Sequence, residues 1–187
     1  MTRIRRFYER IIWRILSWNT GQEIPEFELR SLWEILREIL KKQGYKVDEI
    51  SMPLVKGRVL EPGEYARVGR IVDRLPNTRM NTINEYGQYY STESAIATLV
   101  RPPGSENEYL IFLCKSRCDG SRSMSQEMAH RQLSLYICHE LAHIWEHLLD
   151  VKPAGLLTKQ ILGEDLSKSL AEKGTFKLNV ETERRRL

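Results

Sequence analysis

The sequence predicts an α+β fold in which a small, mostly antiparallel sheet packs against helices. Two observations lead to this prediction. Apolar residues follow helical spacing near both ends of the chain, in residues 2–43 and 127–173. Short runs rich in β-branched and aromatic residues fill much of the region between them. Helices that flank a block of strands indicate the α+β class.

Two helices are predicted before the strands. Residues 1–20 contain a basic amphipathic helix, with a three-and-four apolar stripe over residues 2–18 and arginines mostly off it. Such a helix either docks on its own domain, the interpretation favoured here, or lies on an anionic membrane or a partner. A second helix is predicted from Glu26 to Gln43, because a basic last turn and Gly44 follow its apolar stripe.

The middle of the chain contains the predicted strands. The β-prone runs are YKVDEI, GRVLEPGEY, ARVGRIV, SAIATLV and EYLIFLCKS. The connection RPPGSEN suits a loop between two antiparallel strands. The polar stretch LPNTRMNTINEYGQYYSTE fits either a long functional loop or an irregular strand. Helical spacing then predicts helices from Glu127 to Leu149 and from Leu156 to Lys173, before a basic tail at residues 180–187.

Length and composition indicate one soluble domain over residues 1–187. Hydrophobic residues make up 41% and charged residues 29%, and no apolar run approaches the ~20 residues of a membrane span. No secretion signal is recognisable, and an odd count of three cysteines fits a reducing compartment, so a cytoplasmic location is expected. The net charge of +4 gives only weak support to a nucleic-acid partner.

The stretch YICHELAHIWEH carries the candidate chemistry. It contains an H-E-x-x-H match, with His139 and His143 one helical turn apart. Two imidazoles on one side of a helix can bind one Zn²⁺ ion, while Glu140 lies beside the ion without binding it. Zinc lowers the pKa of a coordinated water from 15.7 to about 7, and Glu140 is then the expected general base and acid. The competing interpretation is a partly buried helix whose histidines only make hydrogen bonds.

The third zinc ligand is open between several residues. On a continuous helix His147 lies ~12 Å along the axis from His139 and is rotated by ~80°, so a surface or rim position is expected for it. A carboxylate on the next helix is the alternative, and Glu164 is preferred because DVKPAG allows that helix to fold back. Asp165 and Glu172 are the other carboxylate candidates.

The segment RQLSLYICHELAHIWEHLL resembles the active-site helix of ImmA/IrrE-type metallopeptidases, which are gluzincins. The family's pattern is R-x-x-F-T-x-A-H-E-L-G-H-x-x-L-H, followed downstream by E-x-E-A-N-x-F-A, whose first glutamate binds zinc. EDLSKSLA, which begins at Glu164, matches that second segment only loosely. The resemblance covers residues 131–171. It implies a zincin-like core and an endopeptidase whose substrate is a regulatory or repressor-like protein.

Two other functions remain open from the sequence. The first is a non-catalytic protein that uses a zincin fold to bind a partner. The second is a DNA-associated protease or antirestriction-like factor, because SprT-like, Wss-type and ArdC-type proteins have similar motifs and the chain has basic ends. Intact Glu140 favours catalysis over the first of these alternatives.

Overall fold

The computed structural model describes residues 21–73, 97–102, 105, 107–115, 126–152, 156–157 and 166, with backbone only for 126–132. In this part of the chain lie four strands and three longer helices. The strands are β1 (Gln22–Ile24), β2 (Leu54–Leu60), β3 (Ala97–Val100) and β4 (Glu108–Cys114). The helices are α1 (Glu26–Lys42), α2 (Pro62–Asp73) and α3 (Gln126–Leu148). The prediction of an α+β fold with a small sheet and packed helices is therefore confirmed.

The sheet is mixed, so the expectation of a mostly antiparallel sheet is wrong. Its strand order is β1-β2-β4-β3. The outer pairs β1–β2 and β3–β4 are antiparallel, whereas the central and longest pair, β2–β4, is parallel over all seven residues of each strand. The physical reason is that a helix follows β2 at once, and parallel neighbours need such a crossover instead of a tight hairpin.

Helix α2 occupies residues that the sequence analysis assigned to strands. The β-branched residues of GRVLEPGEY and ARVGRIV favour strands, but two other signals prevail. Pro62 stands at the first helical position, where its missing N–H costs nothing. Tyr65, Val68 and Val72 follow helical spacing, and all three are buried. The predicted strand YKVDEI is also wrong, because residues 45–50 are irregular.

The sheet is covered on both faces. Alternate β4 residues point to opposite sides, with Tyr109, Ile111 and Leu113 in the core formed with α1 and α3. Leu110, Phe112 and Cys114 pack on the opposite side with α2. Burial on both faces explains why β4 reads as a continuous apolar run. Strands are confirmed within SAIATLV, at Ala97–Val100, and within EYLIFLCKS, at Glu108–Cys114, and so is the antiparallel relation of the two.

Helices α1 and α3 agree with the sequence analysis to within a residue or two at each end. Both end in the same hydrogen-bonding pattern, in which three amides beyond the helix donate to carbonyls of its last turn. Gly44 adopts a φ of 89° at the end of α1, as its position predicted. At the end of α3 the equivalent residue is Asp150, with a φ of 50°. The chain therefore leaves the helical path at Asp150, three residues after His147.

Several predicted segments lie outside the described residues: the basic helix of residues 1–20, the tail at 180–187 and most of the helix predicted from Leu156. Of that last helix, Leu156, Leu157 and Leu166 are helical, and the latter two are buried. Cys114 and Cys138 are buried, and neither forms a disulfide within the described part of the chain. Within the described ranges, every helix is too short or too polar to cross a bilayer.

Candidate metal centre

Helix α3 brings the two motif histidines together. Its apolar residues Leu133, Ile137, Leu141 and Ile144 are buried in the core formed with α1 and the sheet, which fixes the helix against both. His139 and His143 are only partly buried. Their Nε2 atoms lie 3.2 Å apart. The imidazole rings stand nearly perpendicular, with an interplanar angle of 82°.

The separation of the two Nε2 atoms fits a shared zinc ion. Two nitrogens that bind one Zn²⁺ at ~2.0–2.1 Å in tetrahedral geometry are about 3.3–3.4 Å apart. The observed 3.2 Å is within two tenths of an ångström of that value. Because both rings present the nitrogen farther from the backbone, the two side chains can hold an ion without leaving the helix. His139 and His143 therefore meet the first geometric requirement for a metal-binding pair.

The second nitrogen of His143 has a buried carboxylate partner. Its Nδ1 atom lies 2.9 Å from Oε2 of Glu146, one helical turn further along. The Glu146 side chain is only 5% exposed. A carboxylate accepts, so His143 Nδ1 carries the proton and donates it. In the neutral ring Nε2 then has a free lone pair, which is the form that binds a metal.

The pKa values of the two histidines are shifted in opposite directions by their surroundings. Burial, and then the charge of His143, lower the pKa of His139 to about 4, against a weaker upward effect of Glu146. Burial also lowers the pKa of His143, but its hydrogen bond to Glu146 and the charges of Glu140 and Glu146 outweigh this and raise it. In the metal-free protein, His143 is therefore the first of the pair to take a proton. His139 is neutral at pH 7.

Glu140 lies between the two histidines in sequence and is almost completely buried, at 2% exposure. Burial raises the pKa of its carboxyl group to about 7, although the charge of His143 opposes the shift. A bound dication nearby would add to that opposing effect, because an opposite charge favours the ionised carboxylate. Glu140 is thus a carboxyl group in a water-poor site, close enough to His143 for the charge of that ring to act on it.

His147 does not join the histidine pair among the described contacts. It is exposed, and both of its ring nitrogens have other neighbours. Nδ1 lies 3.2 Å from the Tyr109 hydroxyl, and Nε2 lies 3.4 Å from a guanidinium nitrogen of Arg101. Because guanidinium can only donate, Nε2 accepts and the ring proton is on Nδ1. The rim position expected from the sequence is consistent with this arrangement.

The carboxylate candidates for the third ligand lie outside the described residues. These are Glu164, Asp165 and Glu172. Among the residues that are described, no three histidine, cysteine or acidic side chains are grouped so as to hold an ion. The described part of the candidate centre thus consists of His139 and His143, with Glu140 and Glu146 beside them.

The sequence analysis missed Glu146. Its signal was present, because Glu146 is three residues after His143 and that spacing places two side chains next to each other on a helix. The contacts of His147 with Arg101 and Tyr109 had no such signal, since they join residues 46 and 38 positions apart.

Comparisons of the chain with protein-family models, with curated proteins and with solved structures found no match.

Proposed function

We propose that this protein is a zinc-dependent endopeptidase of the H-E-x-x-H type. His139 and His143 bind the ion, Glu140 is the general base, and Glu164 supplies the third ligand. The observation that carries the proposal is the 3.2 Å separation of the two Nε2 atoms, at the spacing that tetrahedral zinc requires. A second, independent support is the intact Glu140 at the position next to the first histidine.

The chemistry divides between the ion and the chain. Zinc, when bound, supplies Lewis acidity that makes water more acidic and polarises the scissile carbonyl. Glu140 takes the proton from the attacking water and returns it to the leaving amine, so it acts first as base and then as acid. Its burial at 2% exposure limits competition from bulk water for that proton. The proposed substrate class, a regulatory or repressor-like protein, rests on the resemblance to ImmA/IrrE-type metallopeptidases.

Metal analysis tests the zinc-binding pair. Wild-type protein purified in excess zinc and then desalted should hold about one zinc ion per chain by mass spectrometry of the metal. His139→Ala and His143→Ala should each lose the zinc ion, because each variant keeps only one of the two imidazole ligands. Zinc contents that are the same in wild type and both variants would reject the site, as would a wild type that retains no zinc.

Cleavage is tested separately from binding. A library of unstructured peptides, with products identified by mass spectrometry, serves as a substrate probe that presumes no sequence. Wild type should generate new peptide ends that a zinc chelator suppresses. Glu140→Gln should keep its zinc but generate no new peptide ends, since the glutamine amide cannot accept the proton of the attacking water. A zinc-loaded wild type that cleaves no more than Glu140→Gln would favour the non-catalytic binding protein instead.

Three single substitutions test which carboxylate is the third zinc ligand. Glu164→Ala should weaken zinc binding, whereas Asp165→Ala and Glu172→Ala should bind zinc as wild type does. All three variants remove one carboxylate from the same predicted helix, so they are matched for charge. Loss of affinity in Asp165→Ala or Glu172→Ala alone would move the third ligand to that residue and leave the zinc-binding pair in place.

A further inference from the structure

Glu146 is a buried carboxylate for which the proposed peptide hydrolysis has no direct use. Its side chain is 5% exposed, and glutamate is rarely buried to this extent without a specific partner. It also lies in the last turn of α3, where the helix dipole disfavours negative charge. Two unfavourable terms at one position indicate that another interaction holds the carboxylate there.

One partner of that carboxylate is a candidate metal ligand. Oε2 of Glu146 lies 2.9 Å from Nδ1 of His143, and Nε2 of the same ring lies 3.2 Å from Nε2 of His139. The three side chains therefore form a line on one side of α3. On one side of the His143 ring, the Glu146 carboxylate accepts the proton of Nδ1. On the other side, the unprotonated Nε2 atom of His143 faces the imidazole of His139.

We propose that Glu146 is a positioning residue for the metal: it fixes the tautomer and the ring orientation of His143 so that Nε2 is ready to bind zinc. This inference rests on the proposed zinc site. Metal-binding histidines commonly donate their other ring N–H to a carboxylate, which orients the ring and increases its basicity. Replacement of such partners typically weakens metal binding by about 10- to 100-fold.

The rigidity of the helix end supports the same role. The carbonyl oxygen of Glu146 accepts a hydrogen bond from the amide of Val151, and that of His147 accepts one from Asp150. These two bonds close the end of α3, so the backbone of Glu146 is held even though only one residue of the helix follows His147. A carboxylate on a fixed backbone can hold the ring of His143 at a constant angle.

Zinc affinity of the full chain tests the proposal. Glu146→Ala removes the partner of Nδ1 and should weaken zinc binding by about 10- to 100-fold, measured by competition with a chromophoric chelator at one pH. Glu146→Gln keeps the shape and an accepting oxygen and removes only the charge, so a smaller loss is expected. Glu28→Gln is the matched control, because Glu28 is also a buried glutamate but lies on α1, and wild-type affinity is expected.

A second measurement needs no metal and reports on the ring itself. In zinc-free protein labelled with ¹⁵N-histidine, at an alkaline pH where the His143 ring is neutral, nuclear magnetic resonance should show its proton on Nδ1. Glu146→Ala should lose that single tautomer, whereas Glu28→Gln should keep it. A purely structural ion pair would reduce thermal stability in Glu146→Ala but would leave the zinc affinity of the folded protein unchanged.

The outcomes separate the two proposals. If wild type binds zinc and both Glu146 variants bind it within about twofold of wild type, Glu146 does not position the ligand and the zinc site stands. If wild type binds no zinc in excess metal, the proposed function fails, and the positioning role fails with it. Weaker zinc binding together with a mixed tautomer in Glu146→Ala, and neither change in Glu28→Gln, establishes the positioning role.

Discussion

The indole rings of Trp33 and Trp145 are stacked, with their centroids 4.0 Å apart and an interplanar angle of 17°. Both side chains are completely buried. Trp33 belongs to α1 and Trp145 to α3, between the candidate ligand His143 and the rim residue His147. The pair therefore joins the helix that carries the candidate metal centre to the helix beside it. Trp145 is therefore a core residue, although it lies next to the motif in sequence.

Removal of one indole should destabilise the whole domain. Truncation of a buried tryptophan to alanine typically costs about 3–5 kcal/mol, because it leaves a cavity as well as losing apolar contacts. We expect Trp33→Ala to lower the free energy of unfolding in urea by about that amount. Phe27→Ala, on the same helix but with its side chain 70% exposed, should change it by less than about 0.5 kcal/mol.

A double-mutant cycle isolates the stacking itself. Trp33→Leu, Trp145→Leu and the double variant should show a coupling of about 0.5–1.5 kcal/mol, beyond the loss of buried area. Additive effects within about 0.3 kcal/mol would mean that each indole packs independently and that α1 and α3 are held by other contacts.

Gly57 should be intolerant of a side chain. It lies in β2 opposite Ile24 of β1, and a Cβ atom at this position would stand 3.0 Å from Cβ of Ile24 and 2.6 Å from its Cδ1. Ile24 is itself 2% exposed and has little room to move. We expect Gly57→Ala to lower the free energy of unfolding by about 1–3 kcal/mol, as overpacking of a core usually does.

Gly63→Ala is the matched control for that substitution. Gly63 lies in the first turn of α2, and a Cβ atom there would meet nothing within 4 Å. Alanine also restricts the unfolded chain, so this variant should be equal to wild type or more stable by up to about 1 kcal/mol. A Gly57→Ala protein that unfolds at the same urea concentration as Gly63→Ala would show that β1 can shift away from β2.

The helices could be predicted from the sequence where local signals agreed. In α1 the apolar stripe, the basic last turn and Gly44 all indicate the same boundaries. In α2 they conflicted, because Val68, Ile71 and Val72 favour strands while Pro62 and the spacing from Tyr65 favour a helix. Buried packing against β2 and β4 settles that conflict, and a long-range contact of this kind is not visible in a local window.

The candidate site could be predicted in its local part only. The convergence of His139 and His143 follows from the geometry of one helical turn, and so does the contact of His143 with Glu146. The parallel pairing of β2 and β4 could not be predicted from β4 alone. A continuous apolar run shows that both faces of the strand are buried, but it does not show whether the neighbouring strand is parallel or antiparallel. The Tyr109 neighbour of His147 depends on that sheet, and for the same reason it could not be predicted.

Stability should depend on pH through Glu28. One oxygen of its buried carboxyl group has no hydrogen-bond partner among the described residues. Burial raises the pKa of Glu28 in the folded protein from 4.5 to about 7. The folded state thus holds this proton more tightly than the unfolded state. The stability that it contributes is complete below pH 4.5 and is lost as pH rises through 7.

Glu28→Gln should remove that dependence. The amide is neutral at every pH, so the melting temperature of the variant relative to wild type should increase between pH 5 and pH 8. Glu38→Gln, on the exposed side of α1, controls for the loss of one negative charge from the helix. If the difference between wild type and Glu28→Gln stays constant from pH 5 to pH 8, Glu28 is ionised in the folded protein throughout that range.

His147 should be dispensable for zinc binding. Its Nδ1 and Nε2 atoms face Tyr109 and Arg101, at 3.2 Å and 3.4 Å, so neither nitrogen is directed at the pair formed by His139 and His143. We expect His147→Ala to bind zinc within about threefold of wild type, whereas His143→Ala should lose binding by more than 100-fold, since a ligand is removed. The same chelator competition measures both variants. Equal losses in the two would mean that α3 unwinds after Trp145 when zinc binds and delivers His147 as the third ligand, in which case Glu164→Ala should retain its zinc.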